Sequence, residues 1–366
     1  MSVVAAKLQV LTAADQRESC LWDELVECAL TPDVYYRPGY ALASEFTERG
    51  KAIALLITSQ NTEALIPLLL RPLSDLPFAV DQSGFDAVTP YGYGGLLVLS
   101  GRRELSPSDT QGLLTAVRDW CAESDVVSCH LRLHPLLEQI RWMDAIRSLD
   151  HTGSLCFRGP TIGIDLSKWD STNQRIAGMA ATRRLCLNRA RRHLRLLWGG
   201  SQISMTEALT LFRQIYEYTM TRVHARPYYY FPEPYYTTLA ERTNVGVVLA
   251  CDGNDLVGGH LFLADRQFAH YHLGGANENG LKLGSSTLLM NAGAQWAREC
   301  GCKLLHLGGG AKSVFEYKRS YGGPVFSYYT LDVIADESRY RTLVERRMAY
   351  ESLSEQREDF FPRYRA

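Results

Sequence analysis

Lys318 stands between Tyr317 and Arg319 in the stretch LLHLGGGAKSVFEYKRSYGG, residues 304–323. A lysine held near apolar surface presents a poorly hydrated cation to developing negative charge, which is one way that acyl and phosphoryl transfers are stabilised. Just upstream, Gly308, Gly309 and Gly310 free the backbone for φ > 0 or for close approach to a ligand. The spacing does not make a phosphate loop. G-x-x-x-x-G-K-[ST] is missing, and Lys312 follows the third glycine too soon for G-x-G-x-x-G. The plain alternative is a turn that avoids Cβ clashes.

Other groups could share such a site. In HYH, strand alternation sends His270 and His272 to one face as candidates for proton handling and Tyr271 to the other; the structural alternative is a pair of packed, hydrogen-bonded rings. His306, before the glycines, is open to the same two readings. The run RRLCLNRARRHLR, 183–195, carries six arginines and no acid. At helical spacing Leu185, Ala190 and Leu194 could face a core, leaving Arg189, Arg191 and Arg192 on a solvated basic face or on a phosphate-binding surface. The segment RVHARPYYYFPEPYYTTL, 222–239, is too aromatic for a solvated loop and too rich in proline for a helix or central strand. It reads as a rigid pocket wall containing Tyr229 and Phe231, or as an aromatic lid over the core. Tyr91 and Tyr93 alternate with glycines in TPYGYGGLLV, 89–98, a glycine-bent strand or turn.

These residues must be positioned by something. Leu304–Leu307 suits a buried strand that ends at an open loop. Strand pairs are expected at 52–58 with 63–73, and again at 246–251 with 256–264, the second extended by 268–275. Helical periodicity marks 15–30, 108–123, 206–223 and 285–300. Helix, meander, helix and strand therefore occur twice, which predicts an α+β (mixed α/β) duplication. A boundary falls in the Gly/Pro-containing stretch at 150–160, giving domains 1–155 and 156–335 and a helical tail, 336–366, that docks or binds a partner.

Composition narrows the function classes. The chain has 366 residues, 46% hydrophobic and 22% charged, enough for about two domains with sizeable cores. A net charge of −1 gives no global case for nucleic acid and weakens a DNA-binding reading, so binding must rest on local patches. No signal peptide is recognisable, and no apolar run approaches the roughly 18 residues of a membrane span. The nine cysteines are scattered, with C-G-C at 300–302 and no zinc spacing. Reduced thiols in a cytoplasmic protein without a metal are expected.

The order of TPYGYGGLLV, LRLHPLL (131–137), the arginine-rich helix ending NRARRH, YTMTR with its Tyr-Phe-Pro segment, and LHLGGG…FEYKRSYGG resembles the FemABX aminoacyltransferases and related tandem GNAT-like acyltransferases. The likeness runs over about 30–330. It implies two GNAT-like domains, each a mixed sheet flanked by helices, with the reaction in the second. It also implies transfer of an acyl group, often aminoacyl from aminoacyl-tRNA, to the amine of a small molecule or peptide. In that family a Phe-Lys pair sets its lysine beside the reacting carbonyl; here the pair reads Tyr317-Lys318. The resemblance further implies that Tyr36 and Arg37 lie at the acceptor pocket; Tyr91 and Tyr93 are expected to bind substrate, and the basic face of Arg189, Arg191 and Arg192 is able to meet tRNA phosphates. No cofactor is implied beyond the donor. Acyl-coenzyme A is the alternative, but its Arg/Gln-x-x-Gly-x-Gly/Ala loop is degenerate in LKLGSS, where Leu281 and Ser286 replace two of the expected residues and Gly284 alone fits.

Overall fold

A computed structural model describes residues 6–59, 62–101, 105–137, 139, 153–168, 176–352 and 360–366. The chain divides into two compact units: 1–31, 35–158 and 328–366 form the first, and 32–34 with 159–327 form the second. Thus 328–366, assigned from sequence to the end of the second domain and a separate tail, lies in the first unit.

The first unit begins with β1 (Lys7–Thr12), α1 (Gln16–Cys28), α2 (Pro38–Glu48), β2 (Lys51–Thr58), β3 (Thr62–Pro72), β4 (Phe85–Val88), β5 (Leu97–Gly101), α3 (Pro107–Glu123) and β6 (Val126–Arg132). The next strand, β7 (Gly153–Asp165), carries the chain into the second unit, followed by α4 (Ala181–His193), β8 (Leu194–Trp198), α5 (Met205–Arg222), α6 (Glu233–Arg242), β9 (Asn244–Asp252), β10 (Asp255–Asp265), β11 (Phe268–Ala276), α7 (Glu278–Leu283), α8 (Ser285–Glu299), β12 (Leu304–Gly308) and α9 (Lys312–Arg319). Strand β13 (Val325–Ile334) returns the chain to the first unit, which α10 (Glu337–Tyr350) completes.

In the first unit the strands run β1-β2-β3-β4-β6-β13, with β5 on β3. Only β4 and β6 are parallel among these pairs, because α3 supplies the crossover between them. Both sheet faces are covered. Ile53, Leu55 and Ile57 of β2 join Leu113, Val117 and Trp120 of α3 in one core. The intervening Ala52, Ala54 and Leu56 join Trp22 and Val26 of α1 in another. Burial on alternate faces makes β2 an apolar run.

The second unit repeats this plan. Its strands run β7-β12-β11-β10-β9-β8, and the parallel pair β11–β12 is bridged by α8. Close packing dictates small residues here: a Cβ on Gly293 of α8 would lie 2.0 Å from the Phe262 ring, and one on Gly275 would lie 2.6 Å from the Ile215 carbonyl of α5. The expected meanders and the four expected helices are present within one or two residues at each end. The proline-rich segment differs from expectation. Pro232 caps α6 and Pro234 lies in its first turn, positions whose N–H groups need no intrahelical partner. The arginine-rich helix ends at His193, and its last expected residues begin β8.

Candidate functional site

Strands β11 and β12 pair only over Phe268–His270 and Leu304–His306, although β11 continues to Ala276. They part beyond the His270–His306 rung, and the glycines begin at that opening. Gly308 (φ 72°) and Gly310 (φ 134°) take the left-handed region, while a Cβ on Gly309 would lie 2.8 Å from the Pro160 carbonyl. Gly308 and Gly310 thus have the expected φ > 0, while Gly309 makes its close approach to the chain's own backbone. The chain then enters α9, so Lys318 is carried by a helix, where a strand and loop were expected.

Lys318 folds back over the opening. Its Nζ donates to the Gly309 carbonyl at 2.6 Å and lies 5.5 Å from the Tyr271 ring centroid. Burial pulls the ammonium down to about 8. Tyr271 in turn packs 4.7 Å from the ring of His260. Burial first, and the Lys318 charge second, hold His260 down at about 3, so this neighbour is a neutral imidazole at physiological pH. His260 stands on β10 in no motif, so its spacing in the sequence carries no signal of this role.

His270 and His272 occupy the other face of β11. His270 Nε2 lies 2.7 Å from Asp33 Oδ2, with both side chains buried. Its ring meets His306 edge-on at 5.5 Å, and His306 Nε2 is 2.9 Å from Thr161 Oγ1. His272 shares a 2.5 Å hydrogen bond with Tyr235 Oη of α6, and burial, with His270 second, pushes it down to about 3. The alternation expected of HYH is present, and it sets the histidines on the face away from Tyr271 and Lys318.

Tyr317 packs beside the first turn of α8. Its Oη is 2.6 Å from Tyr321 Oη, and the Arg183 guanidinium lies 5.0 Å from its ring centroid. Arg183 Nη1 also donates to Thr287 Oγ1 at 3.4 Å, whereas its buried Nε has no hydrogen-bond partner among the described residues. Farther along α4, Arg189, Arg191 and Arg192 are exposed. The buried stripe of this helix is Leu187 and Ala190, continued by Leu194; Leu185, expected inside, is 70% exposed because it falls off that stripe.

The aromatic segment splits in two. Tyr228, Tyr229 and Tyr230 are exposed, while Phe231 is fully buried, stacked on Tyr235 at 4.7 Å. Phe231 is thus a core residue and no part of an open wall. In the first unit Tyr36 is also fully buried; its hydroxyl donates to the Gly94 carbonyl and accepts from Gln139 Nε2. Arg37 pairs with Glu27 at 2.7 Å and with Asp23 at 3.3 Å. The Tyr91 carbonyl accepts from Tyr40, and Tyr93 packs edge-on against Tyr35 at 5.6 Å. Among the cysteines, burial holds the Cys302 thiol up at about 12, which leaves it a poor nucleophile at neutral pH. Among the described residues no helix is long and apolar enough to cross a membrane.

Residues 180–319 match the family model described as acetyltransferase (GNAT) domain. The chain is similar in structure to FemX, with a TM-score of 0.67 at 12% identity over 88% of this chain and 98% of that one. It is also similar to a tandem GNAT protein from the clavulanic acid biosynthesis pathway (TM-score 0.53, 14% identity, 90% and 98% covered). A third likeness is to the C-terminal domain of a putative lysylphosphatidylglycerol synthetase from Agrobacterium fabrum (0.54, 11%, 90% and 95%). No curated protein matches the chain by sequence. The fold is that of the FemABX-like tandem GNAT acyltransferases.

Proposed function

We infer that the protein is an acyltransferase that moves an aminoacyl group from aminoacyl-tRNA to an amine of a small molecule or peptide. The observation that carries this reading is Lys318, a desolvated ammonium at the point where β11 and β12 part. An aminoacyl ester is already activated, so the protein has little covalent work to do. The acceptor nitrogen bonds to the carbonyl carbon, the ester C–O bond breaks, and the departing ribose oxygen takes up the proton that the amine loses. Lys318 would stabilise the negative charge that builds on the carbonyl oxygen or on the ribose oxygen. The neutral His260 and the Tyr271 ring limit competing solvation of that cation. His270, paired with Asp33, is buried on the other face of β11 from Lys318, so this step does not route its proton through it.

The exposed arginines of α4 support a polyanionic donor. Arg189, Arg191 and Arg192 are free of salt bridges among the described residues and can neutralise tRNA phosphates. Such a donor implies a cytoplasmic reaction and needs no added cofactor. A gel shift with aminoacylated and deacylated tRNA at several salt concentrations tests the choice. Saturable, salt-sensitive binding that prefers the charged pool is expected; no binding at low salt would refute it.

A second reading, acyl-coenzyme A as donor, is favoured by one observation. Arg183, whose buried Nε has no hydrogen-bond partner among the described residues, reaches the first turn of α8, where free N–H groups and the helix dipole attract phosphate. Against it, Ser285 and Thr287 are buried, and the Cys186 carbonyl of α4 stands 3.2 Å from where a Gly284 Cβ would be. Calorimetry with coenzyme A distinguishes the two: micromolar binding abolished by Arg183→Ala would favour the coenzyme.

A further inference from the structure

One cavity of the second unit has no part in the site above. Its volume is about 760 Å³, and it lies among β8, the start of β9, the last turn of α4 and the length of α8 beyond its first turn. Two indoles line it, Trp198 of β8 and Trp296 of α8, and both are half-buried. Trp296 is seated firmly on the sheet. A Cβ on Gly246 would come within 2.6 Å of its ring, and Phe262 packs against it at 6.2 Å. The rest of the lining is mixed: Leu194, Leu196, Val245 and Leu288 add apolar surface, and the polar groups come mainly from α8. Asn291, Gln295 and Glu299 form a row four residues apart along α8, in which Gln295 donates to Glu299 at 2.9 Å. Arg191 supplies the cation.

Each part matches a need of a nucleotide held out of a strand. A base stacks on aromatic faces, its edge hydrogen-bonds to amides, and its phosphate meets a guanidinium. The volume lies within the range of about 300–1,000 Å³ of ordinary ligand pockets. The surrounding charge favours a nucleic-acid strand over a neutral aromatic metabolite, because residues 183–195 hold six arginines and no carboxylate. Glu299 repels phosphate, which assigns the phosphate to the side of Arg191.

We propose that this cavity receives one unpaired nucleotide of the aminoacyl-tRNA, its base against Trp198 and Trp296 and its phosphate on Arg191. The proposal rests on the tRNA reading and adds to it a base-holding contact beyond the charges of α4. It also gives Trp198, which the reaction itself does not use, a defined task.

The test measures fluorescence anisotropy with a labelled single-stranded ACCA tetraribonucleotide and with the same backbone made abasic. Both are titrated at one salt concentration into the full chain and into Trp198→Ala and Trp198→Phe. Loss of the indole is expected to weaken ACCA about tenfold or more, while Phe keeps most of the affinity. The abasic strand should bind the unaltered protein about tenfold or more weakly than ACCA does, a comparison that needs no variant to fold. Equal binding of intact and abasic strands would overturn the proposal, as would adenosine monophosphate binding as tightly as ACCA. A gel shift with charged tRNA separates the two levels. If charged tRNA binds while base removal has no effect, the cavity assignment fails and the donor reading stands; if neither RNA binds, both fail.

Discussion

In the proposed reaction Lys318 carries the charge on which the chemistry turns, and its burial makes that role testable by pH. With the ammonium pulled down to about 8, turnover that needs the cation should fall as pH rises through about 8. Lys318→Arg keeps a charge that does not titrate there, so its profile should stay flat to about pH 10 even if its rate is lower. Lys318→Ala should lose on the order of a hundredfold or more in turnover with its fold intact. A linked effect appears in stability. A lysine whose folded value lies below its ordinary one leaves the native state with fewer protons than the unfolded state between about 8 and 10.5, so stability should rise with pH across that window. Denaturant melts of Lys318→Met should lack this rise. Because His260 and His272 are both held down near 3, neither should add a protonation limb to the rate between pH 5 and 8.

In the proposed reading helix α4 is the element that meets the tRNA. Replacing Arg189, Arg191 and Arg192 together by Ala should weaken charged-tRNA binding and reduce the slope of log K against log salt by about 2 to 3, as expected for three lost phosphate contacts. An unchanged slope would make the helix a solvated basic face. Packing around α8 is equally demanding: Gly293→Ala drives a methyl into Phe262 and should cost about 1–3 kcal/mol in denaturant unfolding, with Phe262→Leu restoring part of the loss. Elements of this kind were legible in the sequence wherever period and length agreed, as in α5, α8 and the β9–β10–β11 meander. Helices α2 and α6 were not, because prolines placed at their first turns read as breakers when the helix start is unknown. Helix α9 was hidden for a different reason. Its eight residues have no side-chain cap, and Tyr317 and Lys318 are only half-buried, so nothing distinguished it from a loop carrying Lys318. The parting of β11 from β12 is a matter of register, which no residue type announces.

Taken whole, the chain is a duplicated plan in which the C-terminal residues complete the first unit. Tyr364 is fully buried with its hydroxyl 2.8 Å from Ser128 Oγ, and Arg365 pairs with Asp86, which also holds Arg71 at 2.6 Å. Glu48 bonds Arg71 at 3.1 Å and Arg132 at 3.2 Å, extending this network. Truncation after residue 359 should therefore destabilise the first unit by about 3–5 kcal/mol, since it strips a buried carboxylate of one partner. Calorimetry would register this as an earlier transition, and an unshifted transition would contradict it. The repeat was visible in sequence as two meanders between helices. The return of residues 328–366 to the first unit was not, since membership of a unit depends on contacts distant in sequence. The central claim concerns the reaction and is tested most directly by following label. Total tRNA charged with radiolabelled amino acids is incubated with the protein and an extract of small amines and peptides, beside a parallel reaction supplied with labelled acetyl-coenzyme A. The account predicts amide-linked label from charged tRNA that disappears in Lys318→Ala. Label entering amides only from acetyl-coenzyme A would contradict it.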